Sequence, residues 1–139
     1  MLTKHYKKLI VYFILFMWLL LSSAIIIFVQ KIGFEAASIL KYYSEKSLEG
    51  ILKINLPHIF VFGVLAMIML HFLVFSKSNS QLKILTPTLY IFAFLELFSP
   101  LAIFMGFEFF STIKLFSFFI FIILLFYISL VLLYSIIFE

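Results

Sequence analysis

Four uninterrupted apolar runs take up most of this chain: Leu9 to Val29, Leu56 to Phe75, Ile84 to Phe107 and Leu115 to Phe138. Wound as a helix, about 20 such residues cover the hydrocarbon core of a bilayer, and each run reaches that length. Lipid offers no hydrogen bonds, so a spanning backbone must satisfy its own polar groups, and the helix does so within one segment. The fold expected over residues 1–139 is an all-α membrane protein, a single antiparallel four-helix transmembrane bundle. Its spans lie near 9–29, 56–75, 84–107 and 115–138, and an outer loop occupies 30–55.

Charge placement sets the expected orientation. The ten basic residues are all Lys, and neither Arg nor Asp occurs. Lys4, Lys7 and Lys8 precede the first run, and Lys77 and Lys83 sit in the short loop Ser76 to Lys83, which has no acid. Both segments are expected in the cytoplasm, giving an N-in, C-in topology. The net charge of +4 is thus a matter of membrane orientation, and nucleic acid is not an expected partner. The basic start resembles a signal peptide, but its apolar run is too long, and an uncleaved anchor is expected. The 21 Phe and the abundance of Ile and Lys suit an AT-rich genome, hence a bacterial cytoplasmic (inner) membrane. With no Cys, disulfides, thiolate metal sites and covalent haem attachment are excluded.

The outer loop mixes Lys31, Lys41, Lys46 and Lys53 with Glu35, Glu45 and Glu49. Ala36, Ala37, Leu40 and Tyr43, then Leu48, Ile51 and Leu52, recur at helical spacing. One or two short amphipathic helices are expected there, with Tyr42 and Tyr43 at headgroup depth. Pro57 and Pro87 fall near span starts, where a missing N–H costs little. Glu108 and Lys114 bracket the last tight loop and are expected to anchor it at the interface.

Polar groups inside the runs carry the functional expectations. Glu96 lies about 18 Å along a helix that starts near Ile84, close to mid-depth. A charged carboxylate there costs at least about 2.5 kcal/mol, so it must be protonated or enclosed with a donor. Pro100 lacks the N–H that would bond the Glu96 carbonyl, which is thereby left unpaired. Tyr127, Ser22 and Ser23 are the expected neighbours of this carboxyl, forming an intramembrane polar cluster with Glu96 and Pro100. The expected interior also includes Gly63, Ala66, Ala93, Ser99 and Ser129. Trp18, at mid-span, is expected to pack between helices.

His58 and His71 share the second span, 13 positions or about 20 Å apart along its axis. A His pair on one span at such a distance resembles the di-haem four-helix b-type cytochromes. That resemblance implies haem b as cofactor, one haem near each leaflet, with Gly63 allowing the macrocycle close to the backbone. No other span carries a His, so the opposing ligand would come from a symmetric dimer, a partner subunit, or Met67, Met69 or Met105. The two imidazoles also project about 140° apart on an ideal helix.

No phosphate loop, nucleophile elbow or metalloprotease helix is present, and no enzyme is expected. The expected role is a non-enzymatic subunit or accessory component of a larger membrane complex, with lipid and a protein partner or homodimer as its surroundings. The alternatives are a haem-binding electron-transfer subunit using His58 and His71, and a proton- or solute-coupled carrier using Glu96.

Overall fold

A computed structural model describes residues 4–74 and 81–138. The chain forms five helices: α1 (Lys4–Lys31), α2 (Ala36–Ser44), α3 (Leu48–Val74), α4 (Leu82–Phe104) and α5 (Phe110–Phe138). No strand occurs among the described residues, and α1, α3, α4 and α5 are each long and apolar enough to span a membrane. The protein is a membrane-embedded helical bundle. Most of the loop 76–83, including Lys77, lies outside the described residues.

The helices alternate in direction. Lys7 Nζ donates to the Ile136 carbonyl at 3.2 Å, which puts the beginning of α1 beside the end of α5. The short helix α2 covers the other end of the bundle, hereafter the α2 end, where it packs on α4 and α5. Ile39 and Tyr43, one helical turn apart, point inward and are buried. Tyr43 is thus a core residue and not a headgroup-level anchor; Tyr42 keeps a half-buried place beside it.

Two boundaries differ from the expected ones, for one physical reason. The second span starts at Leu48, because the helical spacing of Leu48, Ile51 and Asn55 continues without interruption into the apolar run. Pro57 consequently lies inside α3, and the Lys53 carbonyl loses its usual helical partner. Likewise α5 starts at Phe110, so that Lys114 occupies its second turn. Hydropathy marks where lipid begins, whereas the helix runs as far as its backbone hydrogen bonds do.

The α4–α5 hairpin is the most closely packed pair, and α3 lies against both of its helices. Gly106 makes the hairpin turn with φ +95°, its N–H bonding the Ile103 carbonyl while Phe107 N–H bonds Ala102. This pair of bonds is the Schellman arrangement, which needs a left-handed residue at that place. A Cβ added to Gly106 meets nothing within 4 Å, so Gly106→Ala carries backbone strain alone. We expect it to lower stability by about 1 kcal/mol in reversible unfolding from mixed micelles.

The first helix leans chiefly on α5. Trp18 Nε1 donates to Ser129 Oγ at 2.8 Å, and Phe28 stacks on Phe118 at 4.1 Å. Away from the α2 end, Phe13 meets Phe72 of α3 edge to face at 5.6 Å. Toward the α2 end, residues of α1 and α3 line a cavity.

Candidate functional site

That cavity has a volume of about 500 Å³. Leu20, Ala24, Ile27 and Phe28 of α1 and Val61 and Phe62 of α3 form apolar walls. Lys31 and Lys53 border it toward the α2 end, Tyr42 and Tyr43 come from α2, and Glu96, Lys114 and Phe118 come from the α4–α5 hairpin.

Glu96 is 3% exposed and Lys114 4%. The Lys114 ammonium donates to Glu96 Oε1 and also, at 2.9 Å, to the Glu96 backbone carbonyl. That carbonyl is the one left without a helical donor by Pro100, so a single ammonium closes both gaps. Next to it, Asn55 of α3 donates to the Leu97 carbonyl at 2.9 Å, and the Ser99 hydroxyl bonds the Leu95 carbonyl. Three successive carbonyls of α4 are thereby held by side chains. A broken helical ladder at membrane depth is tolerated where protein groups replace its missing bonds.

The pair follows from hairpin geometry. Glu96 lies about 12 Å from the end of α4 and Lys114 about 6 Å from the start of α5, by helical rise. The Lys stem covers the difference by reaching along the apolar interior, the reverse of the usual snorkelling to water. The other carboxyl oxygen, Glu96 Oε2, is buried and has no hydrogen-bond partner among the described residues. A buried acceptor without a donor costs roughly 1–3 kcal/mol, more for a charged one.

Above the pair, Lys114 Nζ sits 5.8 Å from the centre of the Tyr43 ring. Burial first, then the charge of Glu96, then Tyr42, push the Tyr43 hydroxyl well above its ordinary value of 10.0. Tyr43 therefore stays a neutral phenol while folded. Below about pH 10 both folded and unfolded chains keep this proton. Above it the unfolded chain releases the proton and the folded one holds it, so this contribution to stability falls as pH rises. We expect a smaller loss of stability above pH 10 in Tyr43→Phe than in the parent chain, measured by unfolding across that range.

The residues expected to join Glu96 are divided by the fold. Pro100 is buried beside it on α4. Ser23 borders the cavity but is exposed and bonds the Leu19 carbonyl of its own helix at 2.8 Å. Ser22 and Gly63 are exposed, outside the expected interior, whereas Ala66, Ala93, Ser99 and Ser129 are buried as expected. A helical Ser can satisfy itself by such a backward bond, so it carries no obligation to face inward. Tyr127 is 44% exposed and donates to Gln81 Oε1 at 3.2 Å. It lies thirteen residues, about 20 Å, beyond Lys114 along α5 and faces the start of α4. Lys114, expected at the interface, is instead the partner of Glu96.

His58 borders the same cavity, with Nδ1 2.6 Å from the Ile54 carbonyl and its ring edge-on to Phe62. His71 is exposed farther down α3, next to Phe72. The fold thus gathers Glu96, His58 and Ser23 round one cavity and leaves His71, Ser22 and Tyr127 away from it. Asn55, Lys114 and Tyr43 complete the site. Their common signal was polarity on the face of a helical stripe otherwise apolar.

Comparison with protein families finds one that matches residues 33–139, described as a transmembrane helical domain. The match takes in α2 to α5, with Glu96, Lys114, Tyr43 and Asn55, and leaves out α1. No curated protein and no solved structure matches the chain.

Proposed function

Since the chain belongs to the Aq_1264_TM family of transmembrane helical domains, we propose that it serves as a non-enzymatic component of a membrane assembly, holding an amphiphile between α1 and α3. One observation carries this reading: a cavity of about 500 Å³, walled by apolar side chains, ends on a buried ion pair with an unused acceptor. Small-molecule sites have this composition and fall within about 300–1,000 Å³. The pair itself is occupied in holding the α4 backbone, a positional role rather than that of a reacting acid. The N-in, C-in orientation, with the cavity in the outer half, is part of the proposal.

A decanol bearing a photoactivatable diazirine tests it on the whole chain in lipid nanodiscs. Labelling should concentrate on cavity-lining peptides of α1 and α3 and be lost in Ala24→Phe, which fills the space. Labelling spread evenly over the lipid-facing helices, unchanged by that substitution, would refute the reading. A proton- or solute-coupled carrier is the second reading, favoured by the cavity's reach to Glu96. It requires vesicle flux that Glu96→Gln abolishes.

A further inference from the structure

We infer that the cavity selects an uncharged amphiphile whose polar end is a hydroxyl, seated with its O–H against Glu96 and its tail between α1 and α3. The inference rests on the binding reading above and adds the chemistry of the ligand's head.

Three features set that chemistry. Glu96 Oε2 is a buried acceptor that nothing among the described residues satisfies, so the incoming group must donate. Lys114 already neutralises the carboxylate, and its ammonium is held by Glu96 through two acceptors. An ammonium head would thus meet a like charge with no net anion to offset it. A carboxylate head would face Oε2 instead, equally unfavourable at this depth. A ketone or ether head offers only acceptors and leaves Oε2 as it was.

A hydroxyl donates and accepts at once. Tyr43, which borders the cavity within the field of Glu96, supplies a neutral phenol able to donate to the ligand oxygen. The apolar walls, formed by residues of α1 and α3, suit an alkyl or isoprenoid tail. A long-chain alcohol and a lipid with one free hydroxyl share this chemistry.

The test is competition against the diazirine decanol on the full chain in nanodiscs, using decanol, decylammonium, decanoate, methyl decyl ether and dioctanoylglycerol. Decanol or dioctanoylglycerol should compete at roughly 10-fold lower concentration than the charged heads and the ether. Whichever of the two is stronger identifies a single-chain alcohol or a two-chain lipid as the source. Tyr43→Phe should weaken the hydroxyl compounds roughly 3- to 10-fold. Equal competition by all heads, still abolished by Ala24→Phe, would overturn the hydroxyl while the binding reading stands. Preference for decylammonium or decanoate would overturn it as well. Labelling insensitive to every competitor and to Ala24→Phe would remove the binding reading and this inference with it.

Discussion

Lys114→Met should unfold the bundle far more readily than any change on its lipid-facing surface, with an expected loss of about 3–5 kcal/mol. The substitution keeps the length of the stem and removes the ammonium. Glu96 is then a carboxylate that is 3% exposed, with neither oxygen bonded among the described residues, beside a backbone carbonyl again without a donor. Breaking a buried pair from one side costs this much because the remaining charge keeps its desolvation and loses its compensation. The two sides are not equivalent. Lys114 lies about 6 Å from the α2 end and can swing its ammonium back to the headgroups, whereas the shorter Glu96 at about 12 Å cannot. Glu96→Met should therefore cost less than Lys114→Met. Reversible unfolding in mixed micelles measures both.

The second large effect is expected at Phe121→Ala. Phe121 is fully enclosed on α5, with its ring 4.7 Å from Phe62 of α3. In lipid the removal of a ring gains nothing back from water, since the surrounding tails are as apolar as the interior. The loss arises from dispersion contacts and the void left behind, and we expect about 3 kcal/mol. Phe116, on the same helix but 62% exposed, provides the contrast, and Phe116→Ala should stay within about 0.5 kcal/mol. Equal effects at the two positions would mean that the α3–α5 seam is placed wrongly.

The spans were legible from composition because length and hydropathy are averages over twenty residues and tolerate local error. Glu96 was legible too, as was the carbonyl freed by Pro100, since both follow from helical arithmetic within one segment. The partner was not. Lys114 counts as a boundary on any hydropathy reading, although α5 begins four residues before it. In an antiparallel hairpin that ends α4 at Phe104 and starts α5 at Phe110, Glu96 faces a position one turn past Lys114. That register was available once the loop was known to be so short, and the long Lys side chain closes the remaining turn. Polarity and depth single out Ser22, Ser23 and Tyr127 but say nothing about the side of a helix. The cavity lined by α1 and α3 depends on how separate helices pack, and no pattern within either helix encodes it.

The pairing of Glu96 with Lys114 is the claim on which the site depends, and a double-mutant cycle addresses it most directly. Unfolding free energies of Glu96→Met, Lys114→Met and the double variant are compared with the parent chain. The structure leads us to expect that the double variant loses less than the sum of the two single losses, with a coupling of about 2–3 kcal/mol and a residual that includes the unpaired Glu96 carbonyl. Simple addition of the two single losses would contradict the pairing.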